Sequence, residues 1–207
     1  MKKIIALGFA ATFIISSIVS CKKGEHDPFL SLRSRKARLE GSWTVTHIDR
    51  DLTSVSGGVT VRTASIYDGT KEITTVTTTN GTQVTTEVDT VFYEYTLTIK
   101  KDGNYTQLIK NSNNLELTQY DGTWMFVGKS KLNNLKNKEA VLFSKNKSTI
   151  LFNGYTNVVD FADLSGTTLL IDELKNKEMI TISEVNSNNE DGLTVDKSLI
   201  KTTYTQK

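Results

Sequence analysis

One cysteine, one proline and two histidines are all that 207 residues hold of the types that most often cross-link, kink or catalyse. With Cys21 alone no internal disulfide can form, so the fold has to be held by burial. Pro28 is the single proline, and nothing after it interrupts strand hydrogen bonding. His26 and His47 are the only imidazoles, and neither stands in a recognisable Ser/His/Asp pattern. No glycine-rich phosphate loop is present either, because Ser56-Gly57-Gly58 lacks the lysine that would hold a nucleotide.

Long apolar runs are also missing. The longest, Ile4 to Val19, falls short of the roughly 20 residues that span a bilayer. It follows Met1-Lys2-Lys3 and ends at Ile18-Val19-Ser20-Cys21, the order of a cleaved targeting segment. A hydrophobic residue, a variable one, a small one and then cysteine form a lipobox, in which the thiol is acylated, palmitate-fashion, and becomes the new N-terminus. The expected organisation is a lipoprotein signal peptide over 1–20, a lipidated tether over 21–28 and one domain over 29–207. An ordinary secretory peptide, or a short membrane anchor, is the competing reading. The diacylglyceryl and acyl chains on Cys21 would hold the protein stably at a membrane. Lys22 rather than aspartate follows the cysteine, so the outer membrane is the expected location, with the domain facing the periplasm or the surface. Without residues 1–20 the formal charge falls from +2 to 0, with +3 on residues 22–40 and −3 on the rest. That balance offers nucleic acid no basic field.

What the chain does have is alternation. Tyr93 to Ile99 places Tyr93, Tyr95, Leu97 and Ile99 on one face and polar residues on the other, as a half-buried strand requires. Lys101-Asp102-Gly103-Asn104 and Asn111-Ser112-Asn113-Asn114 read as turns between that strand, Tyr105–Lys110 and Leu115–Tyr120. Asp121-Gly122 punctuates the chain before Thr123–Val127, where Trp124 and Phe126 share a face. Further short strands are expected over 140–143, 149–152, 167–171, 179–185 and 197–204. The pattern is that of an antiparallel meander.

Two stretches differ from the rest. Asp27-Pro28 predicts a helix start, with aspartate capping and proline at the first position of a short helix over Phe29–Leu39. Its Arg33, Arg35, Lys36 and Arg38 are either a patch for anionic headgroups beside the anchor or the solvated face of a helix over the barrel mouth. From Asp51 to Asp89 threonine dominates both faces, and Asn80-Gly81 sits between Lys71–Thr79 and Thr82–Glu87. That dipeptide favours a type I′ hairpin, so a solvated two-stranded ribbon inserted after the first strand is expected. Such a ribbon buries little, is removable at little cost, and offers an edge to a protein partner.

Gly41-x-Trp43 opens the first strand, Leu97-Thr98-Ile99-Lys100-Lys101-Asp102-Gly103 closes another, Gly122-Thr123-Trp124 opens a later one, and Ile171-Asp172-Glu173-Leu174 comes late. In that order the motifs resemble the lipocalin-like lipoproteins of the Bacteroidota, as does the leader Phe29–Leu39. The resemblance implies an all-β fold: a small antiparallel up-and-down barrel of the calycin type, with a short N-terminal helix and the Thr-rich ribbon inserted. It implies an envelope location and no established activity. Lipocalins also lay an arginine from the last strand over the opening tryptophan, where this chain has only Lys201.

Three function classes follow. In the first the barrel binds a small apolar ligand through inward Trp43, Tyr95, Leu97, Trp124 and Phe126. In the second those side chains fill the barrel, and the protein is a non-enzymatic interaction or structural lipoprotein. A hydrolase comes third, since the catalytic parts are missing and no cofactor is called for. His47 with Asp49 and Asp51 could be imagined around a metal, yet equal strand parity and a turn explain them as well. Asp172-Glu173 reads as a turn rather than an acid/base couple, and Asp89-Thr90-Val91 resembles a short O-glycosylation sequon.

Overall fold

The computed structural model describes residue 27 and residues 33–131, 134–161, 166–188 and 194–206. The expected signal peptide, Cys21, most of the expected tether and the first part of the expected helix lie outside the described residues.

A single turn of helix, α1 (Arg35–Leu39), precedes eleven strands: β1 (Gly41–Ser56), β2 (Val59–Tyr67), β3 (Lys71–Asn80), β4 (Gln83–Ile99), β5 (Asn104–Asn111), β6 (Glu116–Phe126), β7 (Ala140–Phe152), β8 (Tyr155–Asp160), β9 (Gly166–Leu174), β10 (Glu178–Asn188) and β11 (Thr194–Gln206). All pair antiparallel. The sheet closes on itself through β6–β7, giving a ring of ten strands with β8 as a side branch on β7. At one end β1 pairs directly with β4, Gly41 to Thr44 against Ile99 to Thr96, so the ring there is eight strands around. We call that end the base and the other the rim. The architecture is a closed, all-antiparallel β-barrel with a short N-terminal helix, and an eight-stranded interior is just wide enough to be filled by side chains or to hold one small ligand.

The ribbon is inserted where the threonines place it, but its turn lies one residue later than the expected Asn80-Gly81: Asn80 ends β3 opposite Gln83, and Gly81, at φ +59°, and Thr82 make the turn. Its burial differs from the sequence expectation. β2 is a full strand that the threonine pattern hid, and β2–β3 enters between β1 and β4 as a wedge whose turn packs Gly69 against the Thr46 carbonyl. Above that turn the wedge is barrel wall. Ser65, Tyr67 and Glu72 are buried on its inner side, Tyr67 completely.

Two breaks expected from the sequence are bulges instead of turns. β6 runs unbroken through Asp121-Gly122, where the register against β7 slips by one, and the two strands expected over 140–143 and 149–152 are one strand, β7. Asp172-Glu173 likewise lies within β9, beside a register slip against β10, and is not a turn. A bulge inserts a residue without ending the ladder, so local composition cannot tell it from a loop. β8 and β9 lie one above the other along the same side of β7, and among the described residues no pairing joins β8 to β10.

The helix is shorter than predicted and capped differently. Ser34 is the N-cap, its hydroxyl accepting the Ala37 amide at 3.1 Å. Asp27 is buried at the base instead: its carboxylate accepts the Leu174 amide at 2.9 Å, pairs with Arg35 and lies 3.8 Å from the Arg38 guanidinium. Arg38 is 1% exposed and also donates to the Leu174 carbonyl. Burial pulls the Arg35 pKa down to about 10, with the neighbouring Arg38 charge adding to it and Glu139 opposing. Half of the expected basic face is therefore inside the protein, and only Arg33 and Lys36 of the four are exposed.

Candidate functional site

The two Gly-x-Trp units build the base alike. The Trp43 indole N–H donates to the Leu39 carbonyl and the Trp124 indole N–H to the Lys100 carbonyl, each at 2.8 Å. In each unit the glycine is demanded by contact. Gly41 has φ +140°, and a Cβ there would collide with the Gln206 amide; a Cβ on Gly122 would collide with the Ser144 carbonyl and stand 2.7 Å from a Tyr105 ring carbon. Both tryptophans belong to one buried cluster with Leu39, Ile99, Val141, Ile171, Leu174 and Met179. Phe126 packs edge-on against Trp124, ring centroids 5.7 Å apart. Lys201, the residue available to lie over Trp43, is exposed on β11.

Above this packed base the barrel is less full. A cavity of about 180 Å³ lies in mid-barrel, with Tyr95 and Leu97 from β4, Tyr105 from β5, Phe143 and Lys145 from β7 and Leu169 from β9 on its wall. Of the five residues singled out in the sequence, Tyr95 and Leu97 line it, while Trp43, Trp124 and Phe126 are packed below. Strand alternation explains the set: Leu97 faces Gln107 and Ile99 faces Tyr105 across β4–β5, which keeps one parity on the inner side.

Toward the rim the inner wall becomes polar. Tyr67 and Tyr95 meet edge-on at 5.1 Å, Tyr93 and Tyr95 lie tilted at 5.6 Å, and the Tyr67 hydroxyl donates to the Tyr93 carbonyl at 2.9 Å. Beside them Arg50 and buried Glu72 form a 2.9 Å ion pair. Burial, aided by Asp68 and Glu94, raises the Tyr67 pKa to about 12; burial and then Asp121 raise that of Tyr105 to about 12. Tyr95 is pushed up further, again chiefly by burial, with Glu72 next. These phenols stay protonated and can donate hydrogen bonds.

The metal reading of His47, Asp49 and Asp51 meets a competing use for one of its ligands. Asp51 accepts a two-pronged bond from Arg62 at 3.1 and 2.5 Å, which holds its carboxyl below the usual range. Among the described residues no group of three or more His, Cys, Asp or Glu is arranged to hold a metal. Glu173 is paired with Lys175, and Ser56-Gly57-Gly58 is the exposed β1–β2 turn. Sequence reasoning missed Asp27, Arg35 and Arg38 as a buried cluster, and Lys145 as an interior cation. Strand parity from Phe143 would have found Lys145 had the strand expected over 140–143 been carried two residues further.

No protein-family model matches the chain, and no curated protein matches it.

Proposed function

We propose that this protein is a non-enzymatic, lipid-anchored binding protein of the cell envelope, acylated at Cys21, whose barrel takes a small and largely apolar ligand in its mid-barrel cavity. The observation that carries the reading is the contrast within one barrel: a base packed solid around Trp43 and Trp124, then a cavity of about 180 Å³ walled by Tyr95, Leu97, Phe143 and Leu169. Voids lined by apolar side chains are costly unless something fills them. The anchor also sets the orientation. Asp27 is fixed at the base, six residues after Cys21, and six residues reach at most roughly 20 Å. The base then faces the membrane and the rim points away.

Native mass spectrometry of the protein taken from its own membrane tests this reading. A single adduct that is lost on denaturation, and absent from Leu169→Trp, is the expected result. A chain of bare acylated mass, in a variant series that takes up no small molecule, would instead favour the second reading, a filled interaction lipoprotein. That reading has its own support in Ile66, Ile73, Val88 and Phe92, exposed on the outer face of the Thr-rich ribbon where a protein partner could dock.

A further inference from the structure

We propose that the cavity selects ligands bearing an anionic group, and that the Lys145 ammonium receives it; the inference rests on the cavity being a binding site. Among the described residues Lys145 is the one charged residue on the cavity wall, and none of them brings a carboxylate to it. Its placement follows from the β6–β7 register. Lys145 pairs with Gly122, and because Gly122 has no side chain, the lysine stem can cross the inner face of β6. The ammonium comes to rest 4.0 Å from the ring centroid of Tyr120.

The contrast with Arg50, a cation on the inner face of the barrel wall, is informative. Arg50 is neutralised by Glu72, whereas none of the ion pairs among the described residues involves Lys145. An ammonium on a part-buried side chain, with a ring face beneath it, is incompletely compensated, since a π-face offers less than a carboxylate. An arriving anion completes it. The Gln107 amide and the Thr167 hydroxyl line the same cavity and supply donors for a second oxygen, while Leu97, Phe143 and Leu169 supply the apolar remainder. The volume sets the scale: about 180 Å³ is little more than the roughly 150 Å³ void that accepts benzene. The geometry thus points to a small carboxylate with one aromatic ring or a short acyl chain.

Phenylacetate and its neutral isostere phenylacetamide separate charge from shape. Each is titrated into the full chain carrying Cys21→Ser, with amide shifts of Tyr95, Leu97 and Phe143 as the readout. Phenylacetate should bind roughly ten- to a hundredfold more tightly than the amide, the range of one charge-assisted hydrogen bond. Lys145→Met should remove that preference while leaving phenylacetamide binding in place, and Lys145→Arg should retain it. Equal affinity for acid and amide in the parent barrel overturns the anion inference and leaves the cavity as a binding site. Binding of neither molecule, with no shift at the three reporters, overturns the binding reading itself. Should Lys145→Met fail to fold, the comparison of the two molecules in the parent barrel still decides.

Discussion

Gly41 and Gln206 meet at the barrel base with no room between them for a methyl group, and the Gln206 amide that occupies the space donates to the Glu40 carbonyl at 3.0 Å. The first strand and the last are thereby tied to the residue that ends the helix. Two costs are stacked on Gly41: the clash with a side chain that can swing away, and a φ of +140° that side-chain-bearing residues avoid.

Gly41→Ala should lower the unfolding free energy in urea by about 1–3 kcal/mol. Adding Gln206→Ala removes the clash but not the backbone strain, so it should restore only part of the loss. Full recovery in the double variant would show that the φ angle carries no cost.

Gly122→Ala should be worse, at or above the roughly 1–3 kcal/mol of ordinary overpacking. Its obstacles are the Ser144 carbonyl and the Tyr105 ring, and neither is the free end of a flexible chain. A melting curve unchanged from the parent would mean that β6 and β7 can part without penalty.

The Asp27 cluster gives a sharper test, because one acid faces two buried guanidiniums. Asp27→Ala leaves Arg35 and Arg38 inside without it, and should cost about 3–5 kcal/mol. A loss under 1 kcal/mol would show that water replaces the carboxylate.

Much of the fold was legible because alternation and turn chemistry are local. Tyr93, Tyr95, Leu97 and Ile99 fall on the inner face as their spacing requires, and the hairpin forms within one residue of the expected Asn80-Gly81, its turn being Gly81-Thr82. What was hidden depends on partners distant in sequence. Arg35 and Arg38 look like surface residues until Asp27 and the Leu174 backbone close over them. Lys145 looks like one lysine in a Lys/Asn-rich strand until Gly122 is placed opposite it. Tyr67 sits in a segment so rich in threonine that its burial depends on the wedge it enters.

Alkaline stability should report the interior phenols. Tyr67, Tyr93, Tyr95, Tyr105 and Tyr204 all have raised pKa values, burial being the first cause in each. An acid whose folded pKa exceeds its unfolded value contributes stability that is complete below the unfolded pKa, near 10, and is lost as the pH rises through the folded one. Stability should therefore fall between about pH 10 and pH 12, the values for Tyr67 and Tyr105. Phenolate absorbance should rise together with the loss of circular dichroism. Five phenols titrating near pH 10 in a still-folded chain would contradict the burial assigned to them.

The ribbon can be cut at two depths, and the outcomes should differ. Joining Val76 to Glu87 through Asn-Gly removes the tip; these two are register partners, so a two-residue turn fits, and the one large apolar side chain lost is exposed Val84. That cut should cost less than about 1 kcal/mol: Val59 to Arg62 lose their β3 partners at the exposed end of the ribbon, but little buried area leaves with them. Replacing Ser54 to Glu87 by the same turn is another matter. It removes Tyr67, strips Glu72 from Arg50, and asks two residues to bridge strands separated by β2 and β3, three inter-strand steps or roughly 14 Å. Loss of Tyr67 alone should cost on the order of the 3–5 kcal/mol seen for large buried aromatics, and the broken wall adds to it. Urea unfolding followed by tryptophan fluorescence separates the cases, since Trp43 and Trp124 lie at the base, away from both cuts. A deep cut that leaves the midpoint where the tip cut leaves it would show that the barrel closes by its eight-stranded base alone and that the wedge is an appendage.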